Sequence, residues 1–210
     1  MASSVIHMCV AKVINEELKR NNEKLLIGSI APDISKEVGL SKKDSHFQDE
    51  EDGIPCLDSF LRKYKNNLND DFVLGYYIHL YTDYIWFKTF LPNFAYDKVI
   101  YKLDGTVEEM DSSKLTKYIY SDYTNLNIKL IDEYNMELSI FFNEIPKLDN
   151  IIQEIPMDKI ELIVNKAGII IENAKETKSY LFDITEINKF ISFSSKVILE
   201  NLKELGIGNN

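Results

Sequence analysis

The stretch Gly75-Tyr-Tyr-Ile-His-Leu-Tyr-Thr-Asp-Tyr-Ile-Trp86 constrains this chain more than any other part of it. It reads as an apolar, aromatic helix that belongs in a protein interior, yet it carries His79 and Asp83 one turn apart. Two ionisable groups in such a helix are costly unless something pairs with them. Either they satisfy each other through a hydrogen bond, or they hold something. Positions i and i+4 share a helix face, so an imidazole nitrogen and a carboxylate oxygen can meet at one point, as a divalent metal requires.

The remaining pattern is helical. Ser4 is placed to cap a helix whose Ile6, Val10, Val13, Ile14 and Leu18 recur at helical spacing, with His7 on the same side as Val10, Ala11, Ile14 and Leu18. Leu25 to Asp33 reads as a short apolar helix broken at Gly28 and Pro32, with Asp33 delivered from a turn. Ser41 to Asp52 reads as a polar loop containing His46, and a helix from about Pro55 to Leu68 precedes the central one. Asn69 or Asp70 can cap that central helix, and Pro92 can end it.

Lys98 to Glu108 alternates around Asp104-Gly105, which signals a small β-hairpin near 98–108. Helical periodicity returns from Ser112 or Ser113 towards Tyr134, from Met157 to Ala174, and from Thr185 to Leu205, with Gly206 as a stop signal. The expectation is an all-α fold: one multi-helix domain spanning 1–210, with no repeat and no dividing linker.

The net charge of -10 opposes attraction to nucleic acid or to an anionic membrane surface, although an acidic balance also serves solubility alone. No apolar run approaches the ~20 residues of a membrane span. The first residues, with Lys12, Asn15, Glu16 and Glu17 arriving early, do not read as a signal peptide, so a cytoplasmic location is expected. Cys9 and Cys56 form no CxxC pair and read as inert thiols in a reducing compartment.

Only three histidines occur, His7, His46 and His79, all in the first 90 positions. His79 and Asp83 offer half a coordination shell; Asp33 from its turn and His46 from its loop are suitable donors of the rest. Without a thiolate in the set, zinc is favoured, with manganese or iron as alternatives. Each residue also has a plainer reading. His7 alone reads as a satisfied core histidine, His79 with Asp83 as a hydrogen-bonded pair, Asp33 as a cap or turn residue, and His46 as plain surface.

His7 in a short N-terminal helix, Gly28-Ser-Ile-Ala-Pro-Asp33, Ser45-His46-Phe47 and Gly75-Tyr-Tyr-Ile-His79-Leu-Tyr-Thr-Asp83 together resemble the zinc-dependent phospholipase C family. The resemblance covers roughly the first 90 residues and implies the all-α fold that this family shares with fungal single-strand nucleases. It also implies a zinc cluster that hydrolyses phosphate esters. Carried over, Asp33, His46, His79 and Asp83 would bind one metal, and His7 with a bridging Asp83 oxygen would belong to a second. Two departures stand out. The family's processed N-terminal Trp is not matched by Met1-Ala-Ser, and its later His, His, Glu trio has no counterpart, because no histidine follows His79. Asp122 is a candidate additional ligand or substrate contact, with a solvated helix acid as the plainer reading.

The chemistry implied is phosphoester hydrolysis at a reduced site of one or two zinc ions, with Asp33 as the catalytic carboxylate. The expected substrate is a small phosphoester or a phospholipid headgroup. A nuclease is disfavoured, since the acidic chain has no obvious Lys/Arg-aromatic groove. The alternative is a non-catalytic metal-binding or ligand-sensing helical protein. An HD-type phosphohydrolase ranks below both, for want of an adjacent His-Asp doublet. Oligomeric state is left open.

Overall fold

A computed structural model describes residues 1–48 and 53–208. Helix α1 (Ser4–Leu18) is capped by Ser3, whose Oγ accepts from the Ile6 amide at 3.2 Å, so the cap lies one residue before the expected Ser4. Its buried face holds Ile6, His7, Val10, Ile14 and Leu18, as the spacing requires. Helix α2 (Asn22–Ile30) runs straight through Gly28 instead of breaking there. Pro32 then turns the chain into a 3-10 segment, Ala31–Asp33, that leads into the single turn of α3 (Ile34–Glu37).

The expected polar loop after residue 41 begins with another helical turn, α4 (Lys42–Ser45), because Ser41 Oγ caps the Lys43 amide at 3.1 Å. His46 follows directly at the end of that turn. Positions 49–52 of the expected loop lie outside the described residues. Helix α5 (Leu57–Tyr64) passes into a 3-10 turn, Lys65–Asn67, short of the expected end at Leu68.

The central helix α6 (Asp71–Ile85) starts at the Asp70 cap, whose carboxylate accepts from the Val73 amide at 3.0 Å. It widens into a π turn, Trp86–Phe90, before Pro92 closes it in a final 3-10 turn. The expected hairpin is present as β2 (Val99–Tyr101) and β3 (Val107–Glu109), and β1 (Ala95–Tyr96) adds a third antiparallel strand beside β2. Asp104 closes the turn by accepting from the amide and hydroxyl of Thr106 at 3.0 and 2.6 Å. Helices α7 (Ser112–Glu133), α8 (Ile160–Glu172) and α9 (Ile184–Glu204) complete the chain, α7 capped by Asp111 and α9 by an Asp183–Glu186 capping box.

Two glycines set the geometry at the centre. A Cβ on Gly75 would lie 2.2 Å from the Leu25 carbonyl oxygen, and one on Gly28 would lie 2.2 Å from the Phe72 carbonyl oxygen. Helices α2 and α6 therefore meet backbone to backbone, an approach that only glycine at both positions permits. Around them, apolar side chains from Ala2 to Ile207 form one buried cluster, in which Trp86 is ringed by Phe90, Tyr123, Phe182 and Phe190. Among the described residues no helix is long and apolar enough to cross a membrane.

Candidate metal centre

The close α2–α6 contact brings the Ser29 carbonyl to His79 Nδ1 at 2.7 Å. A carbonyl can only accept, so Nδ1 carries the proton and Nε2 presents its lone pair away from α2. His46 is held in the same sense: its Nδ1 lies 2.9 Å from Ser45 Oγ, which itself donates to the Lys42 carbonyl at 3.4 Å. The Tyr76 hydroxyl donates to the Ser45 carbonyl and fixes that turn against α6. Two imidazoles from distant segments thus aim Nε2 at one place.

The sequence candidates converge there. His79 Nε2 is 3.3 Å from His46 Nε2 and 3.7 Å from Asp83 Oδ2; His46 Nε2 is 3.6 Å from Asp33 Oδ1; His7 Nε2 is 3.3 Å from Asp83 Oδ1. Bonds of 2.0–2.2 Å to a tetrahedral zinc would set neighbouring donors roughly 3.3–3.6 Å apart, and these separations match that spacing closely. Among the described residues, the ligand atoms fall into two groups, His7 with His79 and Asp83, and Asp33 with His46 and His79. Asp83 turns one oxygen to His7 and the other to His79, as a bridging carboxylate would.

His7 carries the sharpest signal of all. Its ring is fully buried and stacked on His79, with centroids 3.7 Å apart, yet neither nitrogen is hydrogen-bonded. Asp83 Oδ2 is likewise buried without a hydrogen bond, while Oδ1 accepts from the Ala2 amide at 2.9 Å. Buried polar atoms of this kind cost about 1–3 kcal/mol each, and a cation between them would remove the cost. The plain reading of His7 as a satisfied core histidine rests on the 3.3 Å approach of its Nε2 to Asp83 Oδ1 alone.

The electrostatics suit cation binding. Burial, reinforced by the neighbouring His7, holds the His79 imidazole well below its usual range, and burial lowers His46 too, so both rings are neutral donors. Burial alone would raise both carboxyls. At Asp33 it is outweighed by His46, His79 and Lys42; at Asp83 it is outweighed by the adjoining His7 ring, the N-terminal amine and His79, so both carboxyls are held below the usual carboxylate range. The set of nitrogen and oxygen donors fits zinc, and also fits manganese or iron.

Lys42 is the participant that sequence reading missed. Its Nζ is 2.6 Å from Asp33 Oδ1, 3.4 Å from His46 Nε2 and 2.7 Å from the Met1 sulfur. Lys36 Nζ reaches the same sulfur at 3.3 Å. The only available signal was the four-residue step from Lys42 to His46, which carries meaning only once 42–45 is helical. Asp122, the further candidate, is not in either ligand group: its carboxylate accepts the backbone amides of Tyr180, Leu181 and Phe182 at 2.7, 2.7 and 3.2 Å. Compared with protein-family models, curated proteins and solved structures, the chain matches none of them.

Proposed function

We propose that the protein is a metal-dependent phosphoester hydrolase with a centre resembling that of zinc-dependent phospholipase C, reduced to one or two ions. The observation that carries this reading is the buried convergence of His7, Asp33, His46, His79 and Asp83, with no hydrogen bond to either His7 nitrogen. Zinc held by these residues would supply a Lewis acid for a phosphoryl oxygen and a lowered pKa for bound water near neutral pH.

The chain's own groups divide the remaining work. His79, anchored through Ser29, and His46, anchored through Ser45, keep their lone pairs in place before any ligand arrives. Asp83 is sealed at 1% side-chain exposure, whereas the Asp33 side chain is 12% exposed and borders solvent. Asp33 is thus the carboxylate that can accept a hydrogen bond from the attacking water. Held ionised so firmly, it orients that water better than it removes its proton. The substrate class is a small phosphoester or a phospholipid headgroup in a cytoplasmic setting, and the net charge of -10 argues against a polynucleotide.

The second reading, metal binding without turnover, is favoured by one observation: the Lys42 ammonium sits against Asp33 and His46 and crowds the partly exposed carboxylate. Turnover of 4-nitrophenyl phosphate and bis(4-nitrophenyl) phosphate by the zinc-loaded chain separates the two. Hydrolysis of either ester that is lost in Asp33→Asn supports the hydrolase. Stoichiometric zinc without turnover of any phosphoester in a broad panel supports the binding protein.

A further inference from the structure

We propose that Lys42 grips a phosphoryl oxygen of the substrate at the metal centre. The inference rests on the hydrolase reading above and deepens it by naming the residue that recognises phosphate. Lys42 opens α4, and one helical turn separates it from His46, so the ligand and the ammonium ride on the same rigid unit. Its side chain is 19% exposed, against 1% for His46, which puts Nζ at the boundary between the buried ligands and solvent.

The contacts of the ammonium point the same way. Its three donors face Asp33 Oδ1 at 2.6 Å, the Met1 sulfur at 2.7 Å and His46 Nε2 at 3.4 Å. A thioether is a weak acceptor, easily displaced by a phosphoryl oxygen. With divalent ions on His79 and its neighbours, a lysine this close would be repelled unless an anion lay between the charges. A phosphoryl group held by Lys42 beside the ligand residues would meet that need. Lys42 places a positive charge directly beside Asp33 and His46.

The test is calorimetric titration of inorganic phosphate into the zinc-loaded full chain, with zinc content measured for wild type, Lys42→Met and Lys42→Arg. Lys42→Met keeps the aliphatic stem and removes the charge. The expected result is unchanged zinc content in both variants, phosphate affinity about 10- to 100-fold weaker in Lys42→Met, and most of the affinity retained in Lys42→Arg. Equal phosphate affinity at equal zinc content would overturn the inference while leaving the hydrolase reading in place. So would extra zinc uptake by Lys42→Met with phosphate binding intact, because the ammonium would then only fill a cation's seat. Failure of the wild type to take up zinc, manganese or iron would overturn the hydrolase reading and this inference with it.

Discussion

Gly75→Ala places a methyl group where the Leu25 carbonyl oxygen already stands, 2.2 Å from the new carbon, with Gly28 Cα at 3.0 Å. Both neighbours are backbone, so no side chain can rotate away, and α2 and α6 must separate by about 1 Å to restore ordinary contact. Overpacking of this kind costs about 1–3 kcal/mol, and the better helix propensity of alanine offsets roughly 1 kcal/mol of whatever the clash imposes. A rigid backbone clash belongs at or beyond the upper end, so the net loss is about 2 kcal/mol, or roughly 4–8 °C in melting temperature for a chain of this size. The same separation stretches the 2.7 Å bond between His79 Nδ1 and the Ser29 carbonyl. Losing the hydrogen bond that orients a ligating imidazole should weaken metal binding by about 10- to 100-fold. Gly168→Ala is the matched control, since its new carbon would stand in ordinary contact with the Phe141 side chain, nearest at 3.6 Å, and it should hold or raise stability. Differential scanning calorimetry and a zinc titration read both effects. If Gly75→Ala melts with Gly168→Ala and binds zinc like the wild type, the close helix contact does not position the site as described.

Zinc at a hundredfold excess over its dissociation constant should stabilise the fold by about 2.7 kcal/mol per ion, a rise of roughly 5–11 °C. His79→Ala should abolish that rise, because His79 belongs to both ligand groups, while Asp33→Asn should only reduce it. Asp122→Ala strips the acceptor from three backbone amides and should cost about 2–4 kcal/mol without changing zinc content, which calorimetry and elemental analysis together would show. The Thr106 contacts hold the exposed Asp104 carboxyl at about 2, below its ordinary 3.8. Its contribution to the β2–β3 turn is therefore complete above pH 3.8 and lost as pH falls through about 2. The Thr106 amide resonance should report that titration, and Asp104→Asn should remove it.

Features governed by local chemistry were legible in the chain. The i,i+4 step from His79 to Asp83 fixes a shared helix face, Asp104-Gly105 dictates a hairpin turn, and Gly206, at φ +78, ends α9 where a helix stop was expected. Glycine carried two opposite meanings that composition could not separate. Gly28 looked like a break and is instead half of a helix contact, which becomes evident only when Gly75 is placed against it. The Ser29 anchor is likewise invisible until segments 50 residues apart are packed together. Asp122 looked like a surface acid or a ligand because the segment that occupies it, Tyr180 to Phe182, lies 58 to 60 residues away. Lys42 was hidden for a different reason: polar composition suggested a loop, and the Ser41 cap made it helical.

Elemental analysis of the untagged chain, purified without added metal and measured beside His79→Ala, tests the central claim most directly. The account predicts stoichiometric zinc, manganese or iron, one or two ions per chain, in the wild type, and its loss in the variant. Absence of bound metal even after reconstitution, or metal content unchanged by His79→Ala, would contradict it and leave His79 and Asp83 as a buried pair that holds nothing.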